Sequence, residues 1–349
     1  MDNQAVTNDF GYNLRSEVIE ALMGTNTYGY AYDPIGNRLA ATNNAEALSY
    51  VANELNQYTS ISNGVTLEPS YDDDGNLVAY GDWTFTWNGE NRLVAAQQGK
   101  QCQVAFAYDY MGRMFAKAMY DAADLETPVS VLRHIWDGFN IVRSATLSND
   151  VVTAVEYNVW GLDLSGSLQG AGGVGGLLAV TISTNSTAST FNALTDHLGT
   201  VHALVTPGGT VAERYEYDAW GNVMGVFDGN GNPLTSDLGL PTSALGNRYL
   251  FQGREYSWAV HEAWGGAGLY YFRARWYDPQ TGRWLSNDPI GIGGGLNQYA
   301  FCANNPVMFV DPEGLLTAEV AYAVSITAPL VPKVVIATGT VGVYVVGTM

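Results

Sequence analysis

Basic side chains are scarce in this chain. Only 15 of its 349 residues are Lys or Arg against 34 Asp or Glu, a formal net charge of −19. Such a surface repels phosphate backbones, and no basic cluster lies in Met1–Phe10, so nucleic-acid binding is disfavoured. Charged residues of both signs reach 14%, well under the roughly 25% of an ordinary soluble domain. Cysteine is nearly absent: Cys102 and Cys302 lie far apart, match no metal or redox spacing, and read as buried thiols. The stretch Met1–Asn13 is polar and holds no apolar signal segment. What the chain has instead is 47% apolar residues, 40 Gly, 22 Tyr, 9 Trp and 11 Phe. That is enough to bury a core, which excludes disorder. Excess Gly, Tyr, Trp, Thr and Val with few Lys or Glu is the composition of many short strands joined by tight turns, not of a helical bundle.

An internal repeat organises the chain. Asp is followed three residues later by Gly at Asp33/Gly36, Asp72/Gly75, Asp109/Gly112, Asp196/Gly199, Asp218/Gly221, Asp228/Gly231, Asp288/Gly291 and Asp311/Gly314. The Asp carboxylate accepts amides ahead of it and Gly accepts positive φ, so each pair predicts a hairpin tip. The flanks alternate with period two, as in Tyr28, Tyr30 and Tyr32 or Tyr215 and Tyr217, which predicts strands. Spacings between tips are irregular multiples of a roughly 20-residue unit, so the expected fold is all-β, a run of antiparallel hairpins with insertions.

The segments Tyr32-Asp33-Pro34-Ile35-Gly36-Asn37-Arg38-Leu39 and Tyr217-Asp218-Ala219-Trp220-Gly221-Asn222 resemble the Tyr-Asp repeats of RHS (YD-repeat) proteins. The stretch from Gly268-Leu269-Tyr270-Tyr271-Phe272-Arg273-Ala274-Arg275-Trp276-Tyr277-Asp278-Pro279 through Asp288-Pro289-Ile290-Gly291 to Asp311-Pro312-Glu313-Gly314-Leu315 is similar to the RHS repeat-associated core. The resemblance runs over roughly residues 12 to 315. It implies a β-sheet that spirals into a hollow shell around a C-terminal cargo. The expected organisation is a YD-repeat sheet over 1–239, the RHS core over 240–315 and a variable hydrophobic tail over 316–349. The sheet is too short to close a shell, so the chain is expected to be part of a longer one, with unpaired edges that invite a partner.

The chemistry expected of this sequence lies at Asp288 and Asp311, each in a D-P-x-G setting. Two carboxylates held close share a proton, so that one acts as acid and the other as base. In the resembling family the corresponding aspartates are implicated in self-cleavage just after the D-P-x-G-L motif, which here implies a scissile bond between Leu315 and Leu316. Arg283, or Arg273 and Arg275, are candidates to hold a carboxylate ionised or to stabilise the oxyanion. Family members often carry Arg before the first D-P, whereas Asn287 stands here. The competing expectation is that both aspartates are turn tips like the rest.

Other motifs carry less. Gly170-Ala-Gly172-Gly-Val-Gly175 matches a dinucleotide fingerprint, but a Val-, Ile- and Thr-rich strand follows in place of the required helix, so it reads as a turn between Leu168 and Leu177. Asp72-Asp73-Asp74-Gly75 lacks the later ligands of a calcium loop. His134, His197, His202 and His261 show no metal-ligand spacing. No cofactor and no metal are expected.

The tail holds only Glu319 and Lys333 as charges. Its 34 residues are too few for an enzymatic toxin, and the 16 uncharged residues of Val334–Met349 fall short of the roughly 20 that a membrane-spanning helix needs. A buried strand or the front of a longer effector is the first expectation and membrane contact the second. By resemblance the chain is secreted or held at the cell surface, with its own tail as cargo in polymorphic-toxin delivery. The implied partners are the missing N-terminal shell, secretion machinery and an immunity protein. The alternative is a non-enzymatic surface repeat protein that binds carbohydrate or protein.

Overall fold

The computed structural model describes residues 6–100, 102–184, 187–258, 268–315, 317–319, 334–336 and 343–345. Leu316, His261 and most of the tail lie outside them. Seven of the eight Asp-headed segments close the expected turn, with the Gly amide donating to the Asp carbonyl at 2.8 to 3.2 Å; the turn at Asp288 is no hairpin tip, since it leads into the 3-10 helix Gly291–Gly294. At the first tip Asp33 Oδ1 also accepts the amides of Ile35 and Asn37 at 3.0 and 2.8 Å, and the Asn37 side chain donates back to Asp33 Oδ2 at 2.8 Å. Gly36 sits at φ 91°, where a Cβ is disfavoured. At the eighth segment Asp311 Oδ1 accepts the Leu315 amide at 3.0 Å, as Asp33 Oδ1 accepts that of Asn37.

The irregular spacing has a simple cause. Between the Asp-headed tips lie Asn-headed ones, Asn13–Ser16, Asn53–Asn56 and Asn88–Asn91, each closed by the same bond at 3.0 Å. Their last residues take left-handed φ values of 64°, 63° and 56°. Asn offers the same acceptor oxygen as Asp and tolerates the left-handed region, so it substitutes at either position. Tips therefore run Asn13, Asp33, Asn53, Asp72, Asn88, Asp109 along one edge of the wall.

The aromatic residue ahead of a tip has a defined task. It stands where the strand register shifts, as at Tyr32, Trp87, Tyr108, Trp136, Trp160 and Tyr217, and the extra residue of such a bulge bends the strand. Its side chain then donates to a backbone carbonyl near the start of the strand that leaves the preceding tip. Tyr32 reaches Val18 at 3.0 Å, Trp87 reaches Leu77 at 2.8 Å, Tyr108 reaches Leu93 at 2.7 Å and Tyr217 reaches Val201 at 2.7 Å. These hairpins are thus stitched to their neighbours.

The stitched hairpins form two long antiparallel sheets, one of nine strands and one of fourteen, neither closed on itself among the described residues. They adjoin at Glu68 and Pro69, between the strands Thr66–Leu67 and Ser70–Tyr71; Pro69 has no amide to continue the ladder. A four-stranded sheet, Glu255–Ser257, Leu269–Phe272, Arg275–Asp278 and Arg283–Trp284, is buried on both faces. Period two explains how. Tyr270 and Phe272 pack with Trp220, Phe251, Tyr277 and Phe301 in one core cluster, while Leu269 and Tyr271 pack with Trp83, Phe85, Phe106 and Trp276 in another. The small sheet is a plug between two stretches of wall.

Buried charge also ties plug to wall. Lys117 Nζ, on the wall strand Met114–Asp121, lies 3.0 Å from Glu255 Oε1, and His134 Nε2 lies 3.3 Å from Oε2. Burial pushes the Glu255 carboxyl up, but Lys117, His134 and Arg248 outweigh it and hold it well below the ordinary range.

In the tail, Ala318–Glu319 pairs with Phe309–Val310, and Val334–Ile336 joins the edge strand Val6–Tyr12 through Val6↔Ile336 and Thr7↔Val335. Among the described residues no helix is long and apolar enough to cross a membrane. Of the two cysteines, Cys302 is buried but Cys102 is only half-buried, because it opens the strand Cys102–Tyr108 at the rim of the wall.

Candidate active site

Asp288 follows the plug strand Arg283–Trp284 and Asp311 follows the short strand Phe309–Val310. Between them stands Arg275, on the central plug strand. Its Nη2 lies 2.8 Å from Asp288 Oδ2 and 3.4 Å from Asp311 Oδ2. Exposure is 6% for Asp288, 2% for Asp311 and 3% for Arg275, so water screens little of this interaction. Two carboxylates on one buried guanidinium carry a net charge of −1 unless one holds a proton, and the arrangement favours one bound proton. Burial pushes the Asp288 carboxyl above the ordinary range and Asp311 adds to that, while Arg275 and the Ile290 amide pull it down. Burial also draws the Arg275 guanidinium down to about 10, against the pull of both aspartates.

Leu315 is held against the same group. Its amide donates to Asp311 Oδ1 at 3.0 Å, and the Gly314 carbonyl accepts from Arg275 Nε. On the other side lies Gly294, where a Cβ would stand 2.3 Å from Asp288 Oδ2 and 3.0 Å from the Leu315 carbonyl oxygen. Those two oxygens are therefore no farther apart than the sum of the two distances. Leu316, the other half of the expected scissile bond, lies outside the described residues.

Of the three candidate arginines, only Arg275 meets the carboxylates. Arg273 shares no strand face with Arg275: it occupies the turn, at φ 67°, and points to the carbonyls of Gly172 and Phe139 at 2.6 and 2.9 Å. Arg283 clamps the Asn56 carbonyl at 2.6 Å with its guanidinium over the rings of Tyr58 and Tyr299. Asn287 donates to the Asp74 carbonyl at 2.9 Å and so pins the first D-P segment to a wall tip. Gly294 was not singled out from the sequence, although the run Gly291 to Gly295 around Ile292 marks a place where backbone approaches closely. Among the described residues no three His, Cys, Asp or Glu side chains converge as a metal site.

The family model described as Teneurin YD-shell matches residues 1–126. The chain is an RHS (YD-repeat) protein. Among curated relatives, this RHS chain is 30% identical over 297 residues to the tRNA3(Ser)-specific nuclease WapA of Bacillus spizizenii, covering 82% of the chain and 11% of that protein. It is 28% identical over 357 residues to the double-stranded DNA deaminase toxin A of Burkholderia cenocepacia, covering 93% of the chain and 23% of that protein. The RHS chain thus spans between a tenth and a quarter of these relatives. Its fold is similar to a chain of the Photorhabdus luminescens Tc holotoxin pore, with a TM-score of 0.51 at 17% identity, over 93% of this chain and 18% of that one.

Proposed function

We propose that this RHS chain is a shell segment that encases a C-terminal stretch of its own polypeptide and releases it by aspartic-type self-cleavage between Leu315 and Leu316. The observation that carries this reading is the Arg275-bridged carboxylate pair with the Leu315 carbonyl held beside it across Gly294. Asp288, the carboxyl that burial raises, keeps the proton and polarises the Leu315 carbonyl. Asp311 takes a proton from a water that attacks that carbon. As the C–N bond breaks, Asp288 gives its proton to the leaving amine of Leu316. The water's hydroxyl ends on Leu315 as a carboxyl group, and the proton held by Asp311 restores the pair. Holding the bond within the same chain replaces a bimolecular encounter, an effect of several kcal/mol (~7 or more where alignment is good).

The released segment is the cargo. The relatives named as a nuclease and as a deaminase toxin support a polymorphic-toxin role; secretion or surface display, with a further shell, secretion machinery and an immunity protein as partners, completes the proposal. A purely carbohydrate- or protein-binding role has less behind it, because Tyr32, Trp87, Tyr108 and Tyr217 are engaged as stitches within the wall.

Intact mass of the purified chain tests the proposal. Two polypeptides meeting at Leu315/Leu316 are expected, with Asp288→Asn and Asp311→Asn each giving one uncut chain. A single uncut polypeptide from the unmodified sequence under native conditions overturns it.

A further inference from the structure

Where plug meets wall, a small cavity is lined by Arg254, Arg273, Glu255, Trp136, Phe139 and Asn140, among others. Arg254 and Arg273 are 7% and 9% exposed. Their Nη2 groups donate to one oxygen, the Gly172 carbonyl, at 3.1 and 2.6 Å. Two buried guanidiniums are thereby drawn together on a neutral acceptor. Three of their N–H-bearing atoms, Arg254 Nε, Arg273 Nε and Arg273 Nη1, are buried without a hydrogen-bond partner.

The surrounding acids are mostly committed elsewhere: Asp311 acts on Arg254, but it is already shared with Arg275, whose Nη2 lies 3.4 Å from its Oδ2. Arg254 has no ion-pair partner among the described residues. Among the described residues the ion-pair partner of Arg273 is Glu313, at 3.5 Å, a side chain 54% exposed. Glu255 also borders the cavity, but Lys117 and His134 face its two oxygens at 3.0 and 3.3 Å. Asp163, the carboxylate of the neighbouring loop, is engaged by the amides of Ser165, Ala171 and Gly173. Unpaired buried charge is costly, and each unmade buried hydrogen bond adds to that cost. One negative ion between the two arginines relieves both costs, whereas a water relieves only the second.

We propose that the space between Arg254 and Arg273 binds a compact monovalent anion of about chloride size. The rings of Trp136 and Phe139 line the small space and leave little room for a bulky group, and Gly172, on the Gly-rich turn, supplies the carbonyl that both arginines share. A Cβ at Gly172 would stand 2.8 Å from the Pro312 carbonyl and 3.0 Å from Arg273 Nη1, so glycine is needed for this close approach. The proposal does not depend on self-cleavage.

Bromide, which diffracts anomalously, is the probe. Halide-free crystals of the full chain, soaked in sodium bromide, are expected to show an anomalous peak within hydrogen-bond reach of Arg254 Nε and Arg273 Nη1, higher than any peak on the exposed surface. In solution the melting temperature is expected to be several degrees higher in sodium chloride than in sodium gluconate at equal ionic strength. Arg254→Gln is expected to abolish that difference, with Arg273→Gln as the second variant should the first not fold. No peak at this position, a peak no higher than those on the surface, or equal melting temperatures in the two salts overturns the proposal.

Discussion

Replacing Gly294 by alanine probes the cleavage site without touching a charge. The added Cβ would stand 2.3 Å from Asp288 Oδ2 and 3.0 Å from the Leu315 carbonyl oxygen. Relief of the first contact requires a displacement of about 1 Å, and a misplacement of that size at reacting groups typically lowers the rate about 100-fold. Gly293 provides the control, since a Cβ there meets only Ile290 Cδ1, at 3.9 Å. Both variants keep the same loop, both add one methyl group, and only one intrudes between carboxylate and carbonyl. The assay is the fraction of cut chain against time by intact mass, starting from freshly translated protein. Gly294→Ala is expected to accumulate uncut chain while Gly293→Ala follows the unmodified protein. Equal processing of the two variants would refute the claim that the carbonyl must meet Asp288 at this point.

Three further outcomes follow from the electrostatics. Self-cleavage needs Asp288 protonated, so the rate should fall as pH rises through its raised folded value, and Arg275→Gln, which removes a charge that lowers that value, should move this alkaline limb to higher pH in whatever activity remains. By the same sign, the stability that Asp288 contributes is fully present below the unfolded carboxyl value of about 3.9 and is lost as pH rises through the folded one, which urea unfolding across pH reads directly. Lys117→Met strands Glu255 with only His134 and Arg248 nearby, so urea unfolding should show a loss of about 3 kcal/mol, and Lys117→Met with Glu255→Leu should recover most of it.

What could be read from the residues alone was the chemistry that is local. An Asp with Gly three positions on closes a turn by bonds within five residues, so Asp33, Asp109 and Asp218 marked hairpins correctly. The tips at Asn13, Asn53 and Asn88 use the same bonds, but Asn followed by Ser or Asn is too common a pattern to stand out, and the roughly 20-residue unit therefore looked interrupted. The cleavage candidates Asp288 and Asp311 came from a long motif, and the structure brings them to one guanidinium. Which arginine supplies it was not legible, because Arg273 and Arg275 share a face only if the strand runs through both. The turn at Arg273 intervenes and sends its side chain to the Gly172 carbonyl instead. Gly294 acts by leaving space open, and the spatial neighbours that make that space matter are distant in the chain.

Because the Asp- and Asn-headed tips are closed by bonds within the tip itself, and the stitches of Tyr32, Tyr108 and Tyr217 reach only the hairpin beside them, the internal closure of these wall hairpins is local even though plug residues later dock on several of their tips. Duplication or loss of whole hairpin units can lengthen or shorten such a wall while its neighbours keep their form, which lets one architecture be resized to passengers of different bulk.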